Sequence, residues 1–237
     1  MSARGRSRLP VLGAVLLAAI AAVAAGALYL ALRPDPEVRV TVRVHPLLGG
    51  QPLALGTGRY SNPGGEGTFT IRDFQFFISN VRLVSGHGEF REAESYHLVR
   101  FDEGDGVFRV ELGAVPRRAY DRLEFGIGVD SAANNSIEAV GDLDPNGRMA
   151  WGWEIGYKFV LVEGGLERAD GLVPLVYHVG FDENYVERSV PLDALDPSAF
   201  DGDSEEDLEV HLAIGAVDAS RVVDEIGVDP AAGPGVL

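Results

Sequence analysis

Residues 37–45 read EVRVTVRVH, and the alternation is unbroken: Val38, Val40, Val42 and Val44 on one side, Arg39, Thr41, Arg43 and His45 on the other. A period of two belongs to an extended chain, whose successive side chains leave opposite faces. The segment is therefore a strand with one face in a core and the other outside it. Similar stretches follow: GTFTI, FQFFISNVRLV, YHLVRF, FRVEL, YDRLEFGIGV, MAWGWEIGYKFVLVEG, LVPLVYHVGF, RSVPL and LEVHLAIGAV. Between them stand NPGGEG, GHGE, DEGDG, DPNG and EGG, whose glycine, asparagine and aspartate supply turn geometry. About ten strands so joined predict an all-β chain, an antiparallel β-sandwich with long loops, rather than βαβ units. Short helical pieces are expected only at 132–139 and 218–226.

The fold does not begin at Met1. Arg4, Arg6 and Arg8 lead into residues 11–32, an apolar run without a charge. That run is long enough to cross a bilayer as a helix. It ends directly in Arg33-Pro34-Asp35-Pro36, without the polar, small-residue region at which leader peptides are cut. The expectation is an uncleaved N-terminal signal-anchor, with its basic end in the cytoplasm and the remainder periplasmic or otherwise extracytoplasmic. Cleavage within residues 22–27 is the alternative. Residues 1–33 are thus set apart as anchor or signal peptide, 34–222 as the β-sandwich domain and 223–237 as a C-terminal tail.

All 36 acidic residues and 16 of the 20 basic ones lie beyond residue 33, so that part carries about −20. Such a charge excludes nucleic acid and anionic lipid surfaces as partners and favours cations or a basic protein. The absence of cysteine removes disulfides, lipid-modified cysteine and thiolate metal sites, and is compatible with an oxidising compartment. No HExxH helix, P-loop or GxSxG elbow is present, so nothing marks an enzyme.

Both tryptophans and the only methionine after Met1 fall in RMAWGWEIGYKF, residues 148–159. Read as one strand, Met149, Trp151, Trp153, Ile155, Tyr157 and Phe159 share a face, the pattern of a buried aromatic layer. Four of the five histidines lie in expected strands. His45, His178 and His211 sit opposite the apolar parity of their strands, whereas His97 has mixed neighbours and His87 lies in a glycine turn. Two readings are open for the off-core histidines: scattered surface residues, or imidazoles converging as a copper or zinc site. DLDPNG, residues 142–147, imitates the start of a calcium loop, but position twelve is Trp153 instead of the required glutamate. A plain turn is expected there. The acidic cluster 201–207 could hold calcium loosely or be an acidic loop.

Taken together, VRVHPLLGGQPLAL, TFTIRDFQFFISNVRLVSG, ESYHLVRFDE, LEFGIGVDSAANN, LDPNGRMAWGWEIGYKFVLVEG, YHVGF and EVHLAIGAVD resemble the MbnP-like family in content and order. These are exported proteins associated with methanobactin and copper handling, related to surface copper-binding proteins of methanotrophs. The resemblance covers residues 38–219, and Met-x-Trp-x-Trp-x-x-Gly-Tyr-x-Phe is its most specific phrase. It implies a β-sandwich, and copper bound by histidines, here His45, His97, His178 and His211. It also implies oxidation of one tryptophan, Trp151 or Trp153, to kynurenine by a di-haem, peroxidase-like partner. The kynurenine amine can then join the copper ligands. The expected function is copper capture, storage or delivery without enzymatic activity. The competing expectation is a structural or adhesive β-sandwich, stabilised by calcium, with no copper role.

Overall fold

The computed structural model describes residues 9–33, 37–63, 65–101, 106–136, 138, 140–152, 154–192, 208–216 and 225–227. For 9–14, 31, 208–216 and 225–227 the backbone alone is described. The chain forms two units, Met1–Pro36 and Glu37–Leu237.

The first unit is one helix, α1 (Leu9–Leu32). Its side chains from Val15 to Leu30 are exposed. Among the described residues no helix is long and apolar enough to cross a membrane. A helix is therefore present where the anchor was expected, but the membrane span over residues 11–32 is not shown.

The second unit contains, in chain order, β1 (Glu37–Leu48), β2 (Gln51–Pro52), β3 (Tyr60–Ser61), β4 (Thr68–Ser85), β5 (Gly88–Arg91), β6 (Tyr96–Arg100), β7 (Phe108–Pro116) and β8 (Arg122–Ile127). There follow α2 (Ser131–Asn134), β9 (Ala150–Gly152), β10 (Gly156–Arg168), β11 (Gly171–Gly180), a 3-10 turn (Asp182–Asn184), β12 (Val186–Pro191), β13 (Leu208–Ala216) and β14 (Glu225–Gly227). Two sheets, almost wholly antiparallel, make the expected sandwich. The first is built on β1, which pairs with β7 and β2 antiparallel and with β13 parallel. The second runs β11-β10-β4-β8-β12.

Alternation in β1 becomes packing directly. Val40, Val42 and Val44 are at most 3 % exposed, whereas Arg39 is exposed and Thr41 and Arg43 are half-buried. Val42 and Val110 of the first sheet line a small apolar gap with Ile78, Val81, Leu123 and Phe125 of the second. The two sheets thus close on each other there.

GTFTI and FQFFISNVRLV, read as separate strands, fuse into the 18-residue β4. Phe76 pairs with both Val160 and Val99, and Ser79 with both Gly126 and Tyr96. Hence β6 lines one edge of β4, while β10 and β8 follow end to end along the other. At that junction the ladder shifts between Ser79 and Arg82. Asn80 takes a positive φ of 54° there, a conformation asparagine tolerates better than most residues.

The aromatic segment departs from expectation. It is not one strand: Gly152 (φ 139°) and Gly156 (φ 91°) turn it back on itself, and β9 pairs with the start of β10. Met149, Tyr157 and Phe159 are buried, but Ile155 is 52 % exposed at the turn. A run of one parity holds only while the backbone stays extended, and these glycines end it. β10 itself is buried on both faces, with Leu161 on one and Val160 and Val162 on the other, and Tyr157 and Phe159 are buried before the register shift between Lys158 and Val160. The helix expected at 132–139 shrinks to α2. Of the helix expected at 218–226, residues 218–224 lie outside the described residues and Glu225 and Ile226 are strand. The acidic cluster 201–207 and Trp153 also lie outside them.

Candidate metal-binding face

The four strand histidines divide between the sheets. His45 on β1 stands opposite Ala213 of β13, and His211 on β13 stands opposite Arg43. The two are therefore two register steps apart on adjacent strands. For His211 the backbone alone is described. His97 on β6 stands opposite Ile78, and its Nε2 is 2.8 Å from Glu92 Oε2. Ser95 Oγ donates to the same carboxylate oxygen at 2.5 Å and accepts from Val81 N–H, so this cluster ties the β4 irregularity down. His87 lies in the exposed turn before β5. Among the described residues no group of three or more His, Asp and Glu gathers as a metal site.

His178 has the most developed surroundings. It stands opposite Leu161 on β10, which makes Glu163 its diagonal neighbour across the hairpin, within reach of a long side chain. His178 Nε2 lies 2.9 Å from Glu163 Oε1. Glu163 in turn stands directly opposite Asp73 of β4. Two carboxylates so placed repel each other. Arg148, entering from the segment before β9, answers both: its Nη2 donates to Glu163 Oε2 at 2.8 Å and its Nη1 donates to Asp73. Gln75 Nε2 donates to the second oxygen of Asp73 at 2.9 Å. The hydrogen bond from His178, aided by Arg148, holds the Glu163 carboxyl below its ordinary pKa against the opposing effect of burial. The Asp73 hydrogen bond raises Arg148. When Nε2–H donates to Glu163, the imidazole lone pair is on Nδ1, and its ring orientation is set by a carboxylate, the usual support of a metal-binding histidine.

Trp151 lies on the same face. A Cβ added at Gly180 would fall 2.7 Å from Trp151 Cζ3, so the indole covers the Cβ side of Gly180. His178, two residues earlier on β11, projects from that side too. Phe181 packs on the indole at 5.0 Å between ring centroids. It does so with φ 69° and ψ 146°, a region that belongs to glycine. Asn184 fastens this corner, donating from its side chain to Gly180 O at 2.6 Å and from its backbone to Phe181 O at 2.9 Å.

A polar knot beside this face holds the segment between β8 and β9. Asp130 caps α2, accepting from Ala132 N–H and Ala133 N–H, and also accepts from Tyr96 Oη–H at 2.5 Å and Asn80 Nδ2 at 2.9 Å. Burial pushes the Asp130 carboxyl up, but these hydrogen bonds outweigh it and hold the group low. Burial and the Asp130 bond together raise the Tyr96 phenol. Asn134 is 5 % exposed; its Oδ1 accepts Tyr157 N–H at 2.8 Å and its Nδ2 donates to Asp182 at 2.8 Å. DLDPNG is the plain turn expected, with Asp144 Oδ1 accepting Asn146 N–H at 2.8 Å.

Of the residues proposed from sequence, then, the structure brings His178 and Trp151 onto one face, places His45 and His211 near each other in register, and leaves His97 in a separate cluster. Glu163, Arg148, Gly180 and Phe181 carried no signal as single letters. Only the β10–β11 register assembles them.

The sequence profile of the MbnP family matches residues 37–230, most of the chain. Among curated proteins, none matches. Among solved structures, MbnP from Methylosinus trichosporium aligns at 19 % identity with a TM-score of 0.47, covering 68 % of this chain and 73 % of that one.

Proposed function

The chain belongs to the MbnP family, and from that premise we propose that it is an exported copper-binding protein, not an enzyme, whose ion is held at the His178 face. One observation supports this reading above the others: the Glu163 carboxylate orients His178 through Nε2, and Trp151 covers the adjacent position of the same strand face. A single oriented imidazole does not complete a site. Oxidative cleavage of the Trp151 C2–C3 bond, adding two oxygen atoms, would give N-formylkynurenine, and hydrolysis that releases C2 as formate would then free the aromatic amine of kynurenine beside it. A peroxidase-like partner would supply the oxidant. Copper is cargo in this reading, captured, stored or delivered outside the cytoplasm, with the apolar N-terminal segment directing export.

The donor chemistry fits copper better than calcium. A nitrogen donor without thiolate suits Cu(II) or zinc, whereas calcium requires several oxygens, and the two carboxylates of this face, Glu163 and Asp73, are already committed to Arg148. His45 and His211, near each other in backbone register, are a second candidate place, and a separate ion there would be independent of Trp151.

His178→Ala is expected to lower copper affinity at least about tenfold, measured by competition with a chromophoric chelator, with little change in the melting temperature of the metal-free protein. Unchanged affinity would remove His178 from the proposal. Loss of affinity in His45→Ala instead would move the site to the first sheet.

A further inference from the structure

Two neighbouring residues at the end of β11 are unusual for their positions, and both meet Trp151. Gly180 has no positive φ, so its lack of a side chain answers to space rather than to backbone conformation. A Cβ there would fall 2.6 Å from Tyr157 O, 2.7 Å from Trp151 Cζ3 and 3.0 Å from Trp151 Cη2. Phe181 is the converse case. It carries a large side chain on a backbone with φ 69° and ψ 146°, which glycine adopts readily and other residues do not. Burial does not account for a phenylalanine here, because it is 48 % exposed. What its ring does meet is the indole of Trp151, at 42° between the planes, a tilted aromatic contact. The two hydrogen bonds from Asn184 hold the corner in this strained form.

The contact with Gly180 also fixes which way the indole lies. Cζ3 and Cη2 form the bond of the six-membered ring opposite the one shared with the pyrrole ring. With these atoms against Gly180, the pyrrole ring and its C2–C3 bond lie at the far end of the indole from that residue.

We infer that Gly180 and Phe181 are positioning residues that select the bond of Trp151 at which oxidation occurs. They cover the six-membered ring at Cζ3 and Cη2 and leave C2–C3 as the place of attack. This rests on the reading of Trp151 as the oxidised ring and deepens it. At C2–C3, two molecules of a peroxide each give up one oxygen and leave as water, and the bond between the carbons breaks. Hydrolysis of the resulting N-formyl group consumes one water and releases formate. Hydroxylation of the six-membered ring takes one oxygen from one peroxide, leaves both rings closed and frees no amine. The direction in which the indole lies thus decides whether a new nitrogen ligand results.

Hydroxyl-radical footprinting of the full chain, made where no oxidising partner is present and fragmented across residues 149–158, tests this without metal. The radical attacks both rings of free tryptophan. At Trp151 the ratio of product hydroxylated on the six-membered ring to product cleaved at C2–C3 is expected to lie severalfold below that of N-acetyltryptophanamide. Phe181→Ala is expected to carry the ratio most of the way to the free value, and Phe181→Tyr, which keeps a ring there, to leave it low. Gly180→Ala should act like Phe181→Ala, but Tyr157 O crowds the same Cβ, so the half-exposed position 181 separates positioning from folding. A wild-type ratio equal to that of the free compound, or one unmoved by Phe181→Ala, would overturn the inference. The two readings fail separately. Kynurenine at residue 151 in protein from its own host, with a ratio indifferent to Phe181→Ala, removes the selection alone. A selective Trp151 that stays intact in the host removes the oxidation and upholds the selection.

Discussion

Glu163 is the residue whose removal separates orientation from ligation. It contacts His178 and Arg148 and supports the proposed ion only through the imidazole. Glu163→Gln keeps the shape but weakens the charge-assisted bond, and we expect copper affinity to fall about tenfold, the usual cost of losing such a support. A chelator titration of this variant checks it. The same carboxyl gives a pH signature without metal. Its folded-state pKa is depressed, so its stabilisation is present above the ordinary glutamate value of about 4.3 and is lost as pH falls through the depressed value. Stability should therefore rise with pH across that acid window, and Glu163→Gln should flatten part of the rise in a series of urea melts. Asp130, also held low, contributes in the same direction and remains in the variant. Copper affinity should fall too as acid protonates the imidazole, because only the neutral ring has a lone pair to give.

The β10–β11 hairpin and the segment that packs beside it show what could be read in advance. Val40, Val42 and Val44 were legible as core because β1 keeps a strict period of two with one wet face. Trp151 to Phe159 misled because Gly152 and Gly156 break the extended path, and a glycine letter does not reveal a φ of 139° or 91°. The same limit applies to Gly128, which follows β8 and meets the start of β10 at Phe159. Its φ is 102°, and a Cβ there would fall 2.5 Å from Cδ2 of Phe159, which is 1 % exposed and cannot yield. Gly128→Ala is accordingly expected to cost about 1–3 kcal/mol. Asn134→Ala, which strands Tyr157 N–H in a buried site and removes one of the donors to Asp182, should cost about 1–3 kcal/mol as well. Thermal melts of both variants measure these losses.

For the whole molecule, strand content and sheet count were within reach of periodicity, since each strand carries its own signal. The division of the histidines was not. His97 and His178 fall on one sheet and His45 and His211 on the other because of strand order, and order is decided by long-range pairing that no local pattern encodes. The pairing of His178 with Glu163 depends likewise on a register visible only in the folded hairpin. What unites the account is one face carrying an oriented imidazole beside one tryptophan. Native mass spectrometry of the protein purified from its own host, with fragmentation across residues 149–158, tests that claim most directly. The account predicts one retained copper ion, lost in His178→Ala, and a fragment in which Trp151 has exchanged a carbon for oxygen while Trp153 is intact. Protein exposed to copper that retains none, or that carries the oxidation at Trp153 with Trp151 unchanged, would contradict it.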